Sequence, residues 1–191
     1  MNLELFSDRL ALIPFAPTDV DLCLEMFTDP RVLKYSGPMT RDAICGEMDN
    51  WTKRGGDGFI GIWCITDRET GEKYGSVALL PMPIEEDDTN FSLVAPGKIP
   101  ACDFEIGYFL KHSAWNRGYA TEASRRLLEF VFQETPLQEV VATIDEKNTA
   151  SRNVLKKAGF VDHGTMRAYG EDGPIFRITR SEWFAAQDGP V

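Results

Sequence analysis

The segment Trp115-Asn116-Arg117-Gly118-Tyr119-Ala120-Thr121-Glu122 carries much of the chemical information in this chain. It stands between an apolar run and a helical pattern, where the first helical turn leaves N–H groups unpaired and presents the positive end of the helix dipole. Such an end can hold an anion with few charged side chains. Gly118 removes a Cβ where the backbone must curl toward a ligand, and Ala120 permits close packing. Lys111, Arg117, Arg125 and Arg126 add positive charge, opposed within residues 111–126 by Glu122 alone. Taken alone, the segment is equally an ordinary strand-to-helix turn with exposed bases. A second segment begins Asn148-Thr149-Ala150-Ser151 and ends Lys156-Lys157-Ala158-Gly159-Phe160. Taken alone, it too has a plain reading, an N-cap at Asn148 or Thr149 and a solvated helix end.

The elements that would position these residues follow from hydrophobic spacing and punctuation. Arg9 to Phe15 reads as a strand, and Pro17-Thr18-Asp19 opens a helix that Asp29-Pro30 stops. Thr40 can cap a second helix running to Lys53, and the glycine-rich run at 55–58 is a turn. Phe59 to Thr66 and Lys73 to Leu80 form a hairpin around Thr70-Gly71. Residues 81–102 form a long, proline-rich and acidic insertion, of the kind that is often functional. Phe104 to Leu110 is a strand, Tyr119 to Glu134 a helix with Ala120, Ala123, Leu127 and Val131 on one face, and Val140 to Ile144 a short buried strand. A helix over Thr149 to Ala158 ends at Gly159, with Phe160 packing beyond it. Strands over Val161–Met166 and Phe176–Thr179 close the chain around a Gly170–Pro174 turn. The order predicts one mixed α/β domain across residues 1–191.

Composition limits the partners. The chain has 191 residues, 43% hydrophobic, with a formal charge of −10. Residues 1–100 hold 17 acids and 9 bases, and residues 101–191 hold 13 and 11. That balance argues against broad nucleic-acid binding and against an anionic membrane surface. It leaves the second half able to accept an anionic ligand. Four widely spaced cysteines and two histidines offer no metal-binding spacing, so no metal is expected. They read as free, mostly buried thiols in a reducing, cytoplasmic setting. There is neither a signal-peptide pattern nor an apolar run of membrane length. Walker-type and GxGxxG nucleotide motifs are also absent.

In combination and in this order, the two segments resemble the GNAT superfamily of acetyl-CoA-dependent N-acyltransferases. More narrowly, the chain is similar to the branch that acetylates the N-termini (alanine or serine) of ribosomal proteins. The supporting residues are Asp29-Pro30-Arg31-Val32, Glu105-Ile106-Gly107-Tyr108, Trp115-x-x-Gly118-Tyr119-Ala120-Thr121-Glu122-Ala123 and Asn148-x-x-Ser151 with Lys157-Ala158-Gly159-Phe160. The resemblance implies a GNAT fold, a mixed twisted sheet splayed between strands 104–110 and 140–144 and flanked by helices. It also implies acetyl-CoA as co-substrate in the splay. Backbone groups of Tyr108, Phe109 and Leu110 would meet the pantetheine arm, N–H groups from Asn116, Arg117, Gly118, Tyr119, Ala120 and Thr121 the pyrophosphate, and Asn148 a pantetheine amide or a water. Asn116 stands where the branch often has Gly, and Asn tolerates the left-handed region better than most residues.

Amide formation needs a neutral amine, donors for developing charge and a proton or hydrogen bond for the leaving thiolate. Glu105 is the candidate base, with Asp103 a weaker rival. Many superfamily members place a Tyr acid at the position of Leu155, which cannot donate. The resemblance assigns Ser151 in its place, the alternative being a helix-capping role. The acceptor is then a primary amine, a protein N-terminus or a small molecule, and the acidic first half predicts that it is cationic. The missing Tyr also motivates a second reading, a non-catalytic acetyl-CoA-binding regulatory module. Dimers are common among relatives, so the resemblance allows a homodimer.

Overall fold

The computed structural model describes residues 1–35, 37 and 39–187. Its strands are β1 (Leu5–Phe6), β2 (Leu10–Pro14), β3 (Gly61–Asp67), β4 (Lys73–Pro81), β5 (Phe104–Leu110), β6 (Glu139–Thr143), β7 (Val161–Ala168) and β8 (Glu171–Thr179). Its helices are α1 (Val20–Phe27), α2 (Arg41–Trp51), α3 (Tyr119–Glu134), α4 (Thr149–Ala158) and α5 (Arg180–Gln187). The strands form one mixed sheet in the order β1-β2-β3-β4-β5-β6-β8-β7.

Alternation along the strands divides the apolar residues between two faces. On one face α3 buries Ala123, Leu127, Val131 and neighbours against Leu12, Trp63, Val77, Ile106 and Val140. Leu155 and Ala158 of α4 and Trp183 of α5 join the same core. On the other face Leu22 and Met26 of α1 meet Ile44 and Met48 of α2, with Phe109 of β5 packed against them.

The sheet opens in the middle. β4 and β5 pair along seven residues, from Gly75↔Leu110 to Pro81↔Phe104. β5 and β6 are parallel and meet at one register position, Glu105↔Val141. Beyond that point the β5 edge has no strand partner. The splay expected between these strands is therefore present, and the mixed α/β fold with flanking helices is as anticipated.

Local signals account for the helix ends. Thr40 Oγ1 accepts from Ala43 N–H at 3.2 Å and starts α2. At the end of α4, Phe160 N–H reaches Leu155 O (3.0 Å) and Gly159 N–H reaches Lys156 O (3.2 Å), which is a Schellman closure.

Three expectations need correction. The last hairpin turns at Tyr169-Gly170, and residues 171–174 are strand, pairing as far as Thr165↔Pro174. Pro174 lies beyond the last β6–β8 pair, Thr143↔Ile175, so its missing N–H costs no ladder bond on that side. The two-residue β1 and the short α5, with Trp183 its buried anchor, carry too little periodicity to be read from sequence. Finally, Cys23 and Cys64 are buried but Cys45 and Cys102 are exposed.

Candidate active site

In an antiparallel pair, successive residues turn their N–H and C=O groups to opposite sides. Lys111 N–H donates to Tyr74 O (2.9 Å) and Met82 N–H to Asp103 O (2.9 Å), which fixes the odd-numbered β5 residues toward β4. Phe109 is one of them. A Cβ at Gly75 would lie 2.1 Å from the Phe109 carbonyl oxygen, so only Gly fits at position 75. Of the three residues expected to offer backbone groups to the splay, Tyr108 and Leu110 face it and Phe109 does not. The Leu110 carbonyl is taken by the Trp115 indole N–H at 2.9 Å. The exposed edge is thus the Tyr108 N–H and C=O and the Leu110 N–H, spaced as an extended ligand with amides would need.

The anion-binding geometry at α3 is in place. Asn116 has φ 60° and Gly118, the N-cap, has φ 81°. Among the described residues no side chain caps this helix, so its first N–H groups remain available. The loop is clamped from behind. Arg9 donates from Nη1 to Arg117 O (3.1 Å), lies over the Tyr119 ring and pairs with Glu122 at 2.6 Å. The cluster of bases is dispersed, contrary to its sequence appearance. Arg125 donates to Lys157 O at the end of α4, Arg126 to Phe6 O, and Lys111 sits 3.7 Å from both Glu25 and Glu72. What this end presents is main-chain N–H groups, with Arg117 alongside.

Glu105 is 8% exposed. Its Oε1 accepts from Thr143 N–H at 2.8 Å and from the Thr143 hydroxyl, and its Oε2 accepts from the Tyr169 hydroxyl. Thr143 N–H is the next β6 donor after the Glu105↔Val141 pair, so the carboxylate takes the place of the missing strand at the point where the sheet opens. Burial pushes this carboxyl above its ordinary range, against the opposing effect of those hydrogen bonds. Asp103 is held by Arg177, 3.5 Å away, which leaves Glu105 the better placed carboxylate to accept a proton.

Across the gap, Asn148 Oδ1 accepts from Ser151 N–H at 3.1 Å and is the cap of α4. Ser151 is therefore not the capping side chain. Its half-buried hydroxyl stands beside the Tyr108 phenol. The Tyr108 hydroxyl donates to Ser151 O at 3.2 Å, and burial pushes the Tyr108 phenol up to about 12. Three residues of this site escaped the sequence reading: Thr143, Tyr169 and the Tyr108 side chain. For Tyr169 the signal was Tyr-Gly at a hairpin tip.

On the α1–α2 face, Asp88 and Thr89 of the insertion stand beside the Tyr169 hydroxyl. Asp88 is held above its ordinary pKa, first by partial desolvation and then by the neighbouring Glu47 and Asp87 carboxylates. The approach to Glu105 from this face is acidic.

Comparison with known proteins agrees with this fold. Residues 9–161 match the family model described as an acetyltransferase (GNAT) domain. The chain is 30% identical over 175 residues to Bacillus subtilis YkkB, covering 91% of this chain and 94% of that protein. It is 26% identical to the FsC-acetyl coenzyme A-N(2)-transacetylase of Aspergillus fumigatus, over 96% of this chain and 79% of that one. Among solved structures, the aminoglycoside acetyltransferase AAC(6')-Ib in complex with coenzyme A and kanamycin superposes with a TM-score of 0.70 at 14% identity, covering 94% and 99% of the two chains. The chain belongs to the GNAT family and is an acetyl-CoA-dependent N-acetyltransferase.

Proposed function

We propose that the protein transfers the acetyl group of acetyl-CoA to a primary amine on a cationic acceptor, by direct attack of the amine. When bound, acetyl-CoA supplies the thioester carbon that the amine attacks. Tyr108 and Leu110 hold the pantetheine arm through their backbone groups, and the N–H groups of residues 116–121 hold the pyrophosphate. Asn148 keeps α4 in register beside the splay, and its amide nitrogen is available to the arm. Glu105 takes the proton of the incoming ammonium, directly or through a water. The new C–N bond forms as the C–S bond breaks, the second amine proton passes to the departing thiolate or to solvent, and Ser151 donates a hydrogen bond to the departing sulfur. A Ser hydroxyl serves here because sulfur needs stabilisation more than full protonation.

The observation that carries this reading is the meeting of a desolvated carboxylate, the unpaired β5 edge and the uncapped α3 N-terminus around one opening. The acidic approach through Asp88, Glu47 and Asp87 supports a cationic acceptor, a protein N-terminus or a small polyamine. An acceptor screen following free thiol release tests it. Turnover with cationic primary amines is expected. Tight coenzyme A binding without turnover on any amine would favour a non-catalytic binding module instead.

A further inference from the structure

We infer that the 81–102 insertion and the β7–β8 turn form one latch, in which the Tyr169 hydroxyl is a positioning group that holds the Glu105 carboxylate in place. The inference rests on the reading of Glu105 as the base. Ala168↔Glu171 is the last pair of the hairpin, so the loop is two residues long, Tyr169 with φ 54° and Gly170 with φ 71°. A two-residue hairpin loop with positive φ at both positions is ordinarily Asn-Gly. Tyrosine is strained there, and such strain persists where the surroundings over-determine it.

Here the insertion supplies those surroundings. Tyr169 N–H donates to Pro83 O (3.3 Å) and Gly170 N–H to Ile84 O (2.9 Å). The Arg167 guanidinium grips both oxygens of Glu85 at 2.8 Å each. The Tyr169 ring packs against Met82, Val141 and Ile175. All of this aims one hydroxyl at Glu105 Oε2. Burial and the Glu105 charge push the Tyr169 phenol far above its ordinary value, so it donates at every working pH.

The groups around Glu105 are few. β6 contributes Thr143 and the turn Tyr169; Asp88 and Thr89 of the insertion face the Tyr169 hydroxyl, and Asp103 of β5 is neutralised by Arg177 of β8. No cation among the described residues bonds to Glu105. Its charged form depends on the donated hydrogen bonds, and removing one must move its titration upward.

The test is a pH titration of 13C-labelled glutamate carboxyls by NMR, the Glu105 signal being assigned by its absence in Glu105→Gln. Tyr169→Phe is expected to raise the midpoint by about one pH unit, the effect of one hydrogen bond to a charged acceptor. The acid limb of kcat/KM should move with it. Arg167→Gln, at the exposed end of the latch, should move both in the same direction by less. An unchanged midpoint in Tyr169→Phe overturns the latch, even where turnover falls through lost packing. If that variant fails to fold, an unchanged midpoint in Arg167→Gln overturns it instead. A loss below tenfold in Glu105→Gln turnover removes the base assignment, while the titration still decides whether the latch holds the carboxylate.

Discussion

The two ends of the opening are built from different materials. The proposed cofactor end is main chain: the Tyr108 and Leu110 backbone groups and the first turn of α3, with Arg9 and Glu122 bracing the loop from behind. The proposed acceptor end is side chain: Glu105, Tyr169, Asp88 and Glu47, drawn from β5, the β7–β8 turn, the insertion and α2. A ligand common to a family can be held by groups that every sequence possesses. A ligand that varies must be read by side chains. On this reading the co-substrate is met by backbone and the acceptor by side chains.

The comparison breaks most visibly at Glu105. Glu105→Gln should lower kcat/KM for the amine by about 10²- to 10⁴-fold, as loss of a positioned base does, with coenzyme A affinity unchanged by calorimetry. In the parent enzyme the raised Glu105 pKa has a definite sign. The base is lost by protonation, so the rate falls as pH drops through that value, at a higher pH than an ordinary Glu would give. Glu105→Gln should abolish that limb.

Gly118→Ala addresses the other end. A Cβ at Gly118 meets nothing closer than Arg9 Nη2 at 3.5 Å, so space is available and the backbone is what suffers. The left-handed conformation costs an L-residue roughly 1–2 kcal/mol. To the extent that the empty loop relaxes, coenzyme A binding should weaken by about 5- to 30-fold. Arg117→Gln should weaken it less. If Arg117→Gln is the more damaging, the main-chain account of this end is wrong.

Ser151 and Asn148 sharpen the division within one helix. Ser151→Ala should slow turnover by about tenfold, the worth of one hydrogen bond to a charged group, while leaving the melting temperature in place. Asn148→Ala removes the α4 cap, at about 1 kcal/mol, and should lower Tm by about 2–4 °C for a chain of this size. The smallest effect is electrostatic. Raising salt should reduce kcat/KM for the amine modestly through screening of the acidic approach, with little change in kcat.

Legibility in the sequence followed the same division. The bounds of α3 and α4 were legible because their end signals are local: Gly118, then Ala123, Leu127 and Val131 for α3; Asn148 or Thr149, then Gly159 for α4. The burial of Leu155 in α4 was not legible. The α3 loop was legible because Asn116 and Gly118 state its backbone conformation. The β7–β8 hairpin was drawn too short because β7 is exposed along most of its length and offers no alternation, and because Gly173-Pro174 imitates a turn. The dispersal of Arg125 and Arg126 was hidden, since their partners lie 32 and 120 positions away. The contact from Tyr169 to Glu105 spans 64 residues. Nothing at either position announces the other.

The single point of contact between β5 and β6 has a consequence for handling the protein. An unpaired strand edge accepts any extended segment that reaches it, including the edge of another partly folded copy. Here the edge lies inside the sheet, next to the register position at which β5 meets β6. On the proposed reading, coenzyme A filling that gap would act as a strand made of something other than protein. At a hundredfold excess over its Kd it adds about 2.7 kcal/mol to the folded state. Refolding yield and shelf life should therefore depend on a small molecule, as those of a donor-strand protein depend on a peptide.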